Sequence, residues 1–346
     1  MTPLVSVVVP CRNEVRFIAR CLDSIFNNDY PSVEVLVADG LSTDGTRHML
    51  TELADSRLRV IDNPERITPV ALNRAIAAAR GEIILRFDAH AVMPRTYITQ
   101  CVDLLLARNA DNVGGSIRTL AQTRGPFSGP IAAVLSSRFG VGNSSFRTTA
   151  GRTHSSDPSP RPADTVFGGC WRRDLFHRIG GFNEKLARSQ DIEFNLRIAR
   201  AGGTILLDPK ITCDYYARST LASFWSHNFS NGVWAVLPFA FSVIVPVRPR
   251  HLIPLAFVLS LAASAIFPFP WSIAVLSAYA ALNFAASIQA AIVHRRWSYI
   301  GLMPIAFANL HLAYGIGSAW GATQLAPHLF RSEPKSANHA SNRLQI

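Results

Sequence analysis

Two rhythms of apolar residues alternate along the first third of the chain. Residues 4–9 form a continuous run rich in β-branched side chains between Pro3 and Pro10, the mark of a strand buried on both faces. Phe17, Ile18, Cys21, Leu22 and Ile25 then recur at helical spacing. A second strand is expected over 33–38 and a third over 58–61, with the turn-forming stretch Ser42-Thr-Asp-Gly-Thr46 capping a short helix between them. Thr68 before Pro69 predicts an N-cap with proline in the first helical position, and that helix runs over 70–80 to Gly81, expected as a left-handed terminating glycine. A fourth strand is expected over 82–87. The βαβαβαβ order predicts an α/β fold, a mostly parallel sheet with helices on both faces. Ligands of such sheets gather beyond the carboxyl ends of the strands.

The pattern continues with a helix after Pro94, a strand near 113–120, a helix over 190–201 ended by Gly202, and short strands at 204–207 and 211–216. Residues 121–165 are rich in Gly, Ser, Pro and Thr and include the turn-prone His154-Ser-Ser-Asp-Pro-Ser-Pro-Arg-Pro162, which predicts a mobile loop.

The last third reads differently. Residues 252–270, 271–293 and 299–320 are apolar stretches near the roughly 20 residues that a bilayer span needs. Trp271, Trp297, Tyr299 and Trp320 fall near their ends, where interfacial aromatics belong. Buried core helices are the alternative. Residues 233–247 are apolar but interrupted by Pro238 and Pro246, and are expected to lie along the interface. These features divide the chain into an α/β domain at 1–218, interfacial linker helices at 219–250, a region of about three spans at 251–330 and a polar tail at 331–346.

Charge sharpens that division. The formal net charge is +11, yet of the 23 acidic residues all but Glu333 lie at or before Asp214. Arg248 and Arg250 precede the first apolar stretch, and Arg295 and Arg296 follow the second. The positive-inside rule puts both pairs on the cytoplasmic side of the inner membrane, with the turn at Phe269-Pro-Trp271 outside. Three spans would place the tail outside as well, against the Arg331, Lys335 and Arg343 that it carries. Basic residues that flank apolar runs point to a membrane surface and away from nucleic acid. The five cysteines show no paired or zinc spacing and are expected as reduced, buried thiols of a cytosolic domain. The first apolar run is short, follows no basic residue and ends at Pro10, so it does not read as a signal peptide.

Chemistry concentrates at the predicted strand ends. Cys11-Arg-Asn-Glu14 follows the first strand, Asp39 the second and Asp88-Ala-His90 the fourth, and parallel order makes these three points neighbours on one rim. Each alone also reads as turn or cap chemistry. Asp88 and His90, two apart at a strand end, suit a divalent metal, and a metal suits a diphosphate leaving group. No GxGxxG follows the first strand and no GxxxxGK[ST] occurs, so neither a dinucleotide fingerprint nor a P-loop is present.

Five runs in order, VSVVVPCRNE, VADGLSTDGT, ALNRAIAAARGEIILRFDAH, GGCWRRDLFHRIGGFNE and QDIEFNLRIARAGG, resemble the motifs of family 2 glycosyltransferases over about residues 4–214. The DAH triplet, the FGVGNSSFR stretch at 139–147 and the C-terminal spans are similar, more narrowly, to bacterial exopolysaccharide glycosyltransferases of the succinoglycan-pathway type. The resemblance implies a GT-A fold, a Rossmann-like mixed sheet with flanking helices, followed here by transmembrane helices. It implies that Pro10, Asn13 and Glu14 lie by the nucleoside, that Asp39 binds the uracil ring and that Asp44 fixes the following loop. Asp88 and His90 stand at the family's metal motif, with His in place of a second Asp, for Mn or Mg on the donor diphosphate. Asp191 falls on the second position of the family's ED motif and takes the role of catalytic base, with Gln190 replacing the usual Glu. Read without the resemblance, Asp191 is first an acid stabilising a helix N-terminus. Gly168 and Gly169 would let acceptor and donor sugar approach the backbone.

The resemblance also bears on processivity. Polymerising members carry QxxRW after the catalytic domain, whereas residues 224–234 here read FWSHNFSNGVW without the basic residue, which implies single-sugar addition. The expected function is therefore an inverting, non-processive transfer of a hexose, with glucose the expected sugar, from a UDP-sugar to a polyprenyl-diphosphate-linked saccharide at the cytoplasmic face. A catalytically silent membrane scaffold of a polysaccharide assembly complex is the alternative. A nucleotidyltransferase would need a Gly-rich basic loop after the first strand, and only Arg12 and Arg16 are there.

Overall fold

The computed structural model describes residues 2–149, 159–264 and 269–330. Its strands are β1 (Val5–Cys11), β2 (Val33–Asp39), β3 (Leu58–Asp62), β4 (Ile83–Arg86), β5 (Ala91–Val92), β6 (Asn112–Ala121), β7 (Arg161–Pro162), β8 (Phe167–Arg172) and β9 (Ile205–Ala217). The helices are α1 (Ile18–Phe26), α2 (Thr46–Glu52), α3 (Thr68–Ala78), α4 (Tyr97–Ala107), α5 (Ser128–Leu135), α6 (Arg138–Val141) and α7 (Ser145–Thr148). They continue with α8 (Asp174–Ile179), α9 (Gln190–Arg200), α10 (Leu221–Val236), α11 (Pro238–Phe241), α12 (Pro249–Ala263), α13 (Phe269–His294) and α14 (Tyr299–Phe330). Among the described residues, one compact unit comprises 2–118, 149 and 159–215, and a second comprises 119–148 and 216–330.

The first unit is built on a nine-stranded sheet in the order β3-β2-β1-β4-β8-β6-β9-β5, with β7 paired to β9. β1, β2, β3 and β4 run parallel, and β8 joins β4 antiparallel. The sheet is therefore mixed, with the parallel half where the βα alternation placed it. Val5, Val7, Val8 and Val9 are fully buried, as a strand covered on both faces requires. Ile18, Cys21, Leu22 and Ile25 form the inward face of α1, each large side chain contributing about 1.5–3 kcal/mol on burial. All five cysteines are free and buried.

Local signals fared unevenly. Gly202 has φ +78° and ends α9 as expected. Gly81 does not terminate α3, which stops at Ala78 with Ala79 already extended. A Cβ on Gly81 would lie 2.6 Å from the Leu4 carbonyl oxygen, so this glycine is required by a close approach to the start of β1. Thr68 is helical, with Ile67 in the N-cap position and no side-chain cap. The two short strands expected beyond Gly202 are one 13-residue strand, β9.

Buried polar contacts fix α9 against the sheet. Asn112 donates to Asn195 Oδ1 at 2.8 Å, and the Cys170 amide donates to Asn112 Oδ1 at 3.3 Å. Phe194 packs among Phe176, Phe182 and Trp171. Arg197 pairs with the buried Glu193 at 2.9 Å and donates to the Ile179 and Gly181 carbonyls. The first turn of α9, with Gln190 and Asp191, is thereby held in place.

In the second unit, the stretch expected as a loop carries α5, α6 and α7. Composition misled because Ile131, Ala133 and Val134 find an apolar partner surface in Phe224, Met303 and Phe307. Residues 154–158 of the turn-prone stretch lie outside the described residues, as does the 331–346 tail. Among the described residues, two helices are long and apolar enough to cross a membrane, Pro270–His294 and Tyr299–Leu325. The first of the three expected spans contains α12, whose 15 residues make about 22 Å, short of the about 30 Å of a hydrocarbon core. Phe269, Pro270 and Trp271 form the first turn of α13 instead of an interhelical turn. α10 and α14 touch backbone to backbone: a Cβ on Gly232 would sit 2.0 Å from the Tyr314 carbonyl oxygen, and one on Gly317 2.1 Å from that of Phe229.

Candidate active site

The parallel strands β1, β2 and β4 deliver their polar sequels to one edge of the first unit. Cys11 pairs with Asp39 at the end of the β1–β2 ladder, and Val8 pairs with Arg86 between β1 and β4. The loop after β1 turns sharply at Asn13, φ +56°. It is laced to the loop after β2: the Asn13 amide donates to Ser42 Oγ at 2.8 Å, the Thr43 amide to Asn13 Oδ1 at 2.9 Å, and the Glu14 amide to Thr46 Oγ1 at 2.9 Å. Asp44 accepts from the Val15 amide at 3.2 Å and from the Thr46 amide at 3.0 Å. Slight burial pushes the Asp44 carboxyl up, but the Thr46 hydroxyl and the Thr46 and Val15 amides outweigh it and hold the carboxyl below its usual range.

Asp39 lies beneath this loop. Ser42 donates to it through its hydroxyl at 2.5 Å and its amide at 3.3 Å. Arg47 stands 3.6 Å from Asp39 and 2.7 Å from Asp62, and the Asp39 side chain is 1% exposed. The carboxylate that the resemblance assigns to the nucleobase thus shapes the rim from below, with Ser42 over it.

The loop after β1 also reaches the end of β4. Glu14 Oε1 lies 3.1 Å from His90 Nδ1, and both side chains are about a quarter exposed. The His90 ring stacks edge-on against Tyr215 of β9 with centroids 4.8 Å apart. Burial lowers the His90 pKa, but Tyr215, Glu14 and Asp88 outweigh it and push it up to about 10. Tyr215 acts on it only as a phenolate, so near neutrality the upward push comes from the two carboxylates, and a cation held by the ring displaces its second proton.

Asp88 and Asp191 are tied through Arg86. Arg86 donates to Asp88 Oδ1 through Nη2 at 3.1 Å and Nε at 3.3 Å. Burial pulls the Arg86 pKa down, while the charges of Asp88 and Asp191 raise it. Asp191 of α9 therefore stands within electrostatic reach of the β4 end. It is half-buried in the first helical turn, next to the buried Gln190. Gly168 and Gly169 take φ +67° and +118°, and a Cβ on Gly168 would fall 2.4 Å from the Arg86 carbonyl oxygen. Gly168 is required by backbone against backbone beside Arg86, and Gly169 by the Trp171 ring, 2.2 Å from where a Cβ would fall.

The rim thus gathers Pro10, Asn13, Glu14, Asp39, Asp44, Asp88 and His90, and the charge of Asp191 reaches Arg86 beside it. Among the described residues no group of three or more His, Cys, Asp and Glu is placed to hold a metal by itself. Asp88 with His90 fits a sparser donor set, a cation held by one carboxylate and one imidazole and completed by substrate phosphates and water. Arg86 and Tyr215 were missed in the sequence. A charged residue inside the apolar run over 83–87 was the available signal, since a buried cation demands a buried partner.

The chain is similar in sequence and in fold to known glycosyltransferases. The family model described as "Glycosyl transferase family 2" matches residues 6–160. "Succinoglycan biosynthesis protein ExoA" of Rhizobium meliloti (strain 1021) is 32% identical over 227 residues, 64% of this chain and 66% of that protein. A dolichyl N-acetyl-alpha-D-glucosaminyl phosphate 3-beta-D-2,3-diacetamido-2,3-dideoxy-beta-D-glucuronosyltransferase of Methanococcus voltae is 28% identical over 240 residues, 66% of this chain and 71% of that protein. In structure, a mannosyltransferase of Pyrobaculum calidifontis, solved with GDP-Man and Mn2+, aligns with TM-score 0.57 and 24% identity over 92% of this chain and 88% of that one, a likeness of fold.

Proposed function

The chain belongs to glycosyl transferase family 2, and from that premise we propose that it is an inverting, single-addition hexosyltransferase. It moves glucose from a UDP-sugar to a polyprenyl-diphosphate-linked saccharide at the cytoplasmic face of the inner membrane, in exopolysaccharide synthesis. The observation that carries this reading is the meeting of Glu14, His90 and Asp88 at the strand ends, with Asp191 acting on the same Arg86 that holds Asp88.

Asn13 and Glu14, with Asp39 beneath Ser42 and Asp44 bracing the loop, form the nucleoside side. Asp88 and His90 would hold a Mn or Mg ion, whose chemistry is to offset the charge that grows on the departing diphosphate. Asp191 takes the proton of the acceptor hydroxyl. The freed oxygen attacks the anomeric carbon from the face opposite the diphosphate, the new C–O bond forms as the C–O bond to UDP breaks, and the configuration inverts. An α-linked donor gives a β-glycoside.

The acceptor class is supported by the second unit and by the relatives. α13 and α14 are long and apolar enough to cross a membrane, and Trp271, Leu276, Leu282, Phe284 and Val293 are more than half exposed, as side chains solvated by lipid are. The names of the two relatives refer to succinoglycan and to a dolichyl-linked sugar. Residues 224–234, where processive members carry a basic residue, lie on α10 and hold no Arg or Lys, which supports addition of one sugar.

The test is incubation of membranes containing the protein with labelled UDP-sugars and lipid-linked acceptors, with and without Mn or Mg. The expected result is one β-linked hexose from UDP-glucose on the lipid-linked acceptor, dependent on the cation. No transfer from any UDP-sugar would favour the silent scaffold, and serial additions would refute the single-addition reading.

A further inference from the structure

β4 is an apolar strand, Ile83-Ile-Leu, that ends in an arginine. A cation at such a position is retained only where anions satisfy it. The Arg86 side chain is 11% exposed, and its Nε and Nη2 both close on Oδ1 of Asp88 two residues on. Its main chain is fixed too, because Gly168 packs on the Arg86 carbonyl with no room for a Cβ. The pairing therefore anchors Oδ1 of Asp88 before any ligand arrives.

We propose that Arg86 is a positioning residue of the transfer site: its guanidinium anchors Asp88 for the donor diphosphate and offsets the Asp88 charge there. This rests on Asp88 being the donor-side carboxylate, as in the function proposed above. The Asp88 carboxylate alone would repel a diphosphate, and Arg86 offsets that charge from within the sheet. The charge of Asp191 acts on Arg86 as well, so one buried cation links the donor and acceptor sides. The planar fork is specific to arginine, since a lysine offers a single ammonium at that point.

The test uses the full-length chain in nanodiscs. UDP affinity is measured with and without Mn2+ for the unsubstituted protein, Arg86→Lys and Arg86→Met, alongside thermal unfolding. Arg86→Met is expected to weaken Mn2+-supported UDP binding about tenfold or more, as loss of a charge-assisted fork does, while Mn2+-free UDP binding on the Glu14 side is kept. Arg86→Lys, which keeps the cation should the methionine variant fail to fold, is expected to fall between the two. UDP binding by both variants equal to that of the unsubstituted protein overturns the assignment, and so does equal loss with and without Mn2+, the mark of a merely structural role. Absence of UDP binding by the unsubstituted protein overturns the donor reading and this assignment with it.

Discussion

His90 Nδ1 stands 3.1 Å from Glu14 Oε1, and this one contact joins the loops that leave β1 and β4. The two strands are ladder neighbours, so their loops meet for a topological reason. The carboxylate and imidazole then set the charge of the rim on which a diphosphate would rest.

Glu14→Gln keeps the size of the side chain and removes the charge. UDP affinity is expected to fall about tenfold, the scale of a lost charge-assisted contact, with the thermal midpoint nearly unchanged because Glu14 is partly exposed. Titration of UDP onto the variant checks this, and unaltered affinity would remove Glu14 from the nucleotide side.

Gly168→Ala tests the close approach beside Arg86. The substitution asks an alanine to hold φ +67° with its Cβ 2.4 Å from a carbonyl oxygen. A stability loss of about 1–3 kcal/mol or more is expected from the backbone strain alone, with transfer activity falling further as Arg86 shifts. Chemical denaturation read beside activity separates the two effects.

Glu34 sets a pH dependence of stability. Its carboxylate accepts from Ser6 Oγ and the Arg80 amide, both at 2.6 Å, with Arg59 at 3.5 Å. Burial raises its pKa, but Ser6, the Arg80 and Gly81 amides and Arg59 outweigh this and hold it below the usual range. A folded-state pKa below the unfolded one contributes stability that is present above the unfolded value and lost as pH falls through the folded value. Glu34→Gln should therefore destabilise the first unit at pH 7 by about 1–2 kcal/mol and flatten the acid side of its stability profile, measured by denaturant unfolding at pH 7 and pH 3.

Gly317→Ala and Gly301→Ala form a contrasting pair on α14. A Cβ at 317 meets the Phe229 carbonyl oxygen at 2.1 Å, whereas one at 301 meets nothing within 4 Å. The first should lower the thermal midpoint in detergent, costing about 1–3 kcal/mol through overpacking. The second should be neutral or stabilising by about 0.5–1 kcal/mol, as helical glycine gives way to alanine. Equal effects would contradict the backbone contact between α10 and α14.

Much of the fold and part of the site were legible in the sequence. Runs of Val and Leu at 4–9 and 33–38 marked strands, which the structure buries on both faces, and Gly202 marked the end of α9, where its φ is +78°. Glu14, Asp39, Asp88 and His90 followed from strand ends, because parallel order alone makes them neighbours. Long-range contacts were not legible. Gly81 looked like a helix terminator, yet its constraint comes from Leu4, distant in sequence. Ile131 and Val134 sat in a turn-rich composition and became helical because a surface from α10 and α14 covers them. Arg86 was hidden for a related reason, since its partners Asp88 and Asp191 come together only once α9 docks on the sheet.

The central claim is that Asp191 removes the acceptor proton at a donor site it does not help to bind. Asp191→Asn is nearly isosteric, and single-turnover sugar transfer measured beside UDP binding tests it directly. Transfer is expected to fall by about a thousandfold or more, the scale on which a positioned general base acts together with its site, with UDP affinity kept within about twofold. Near-normal transfer by this variant, or transfer and UDP binding lost together, would contradict it.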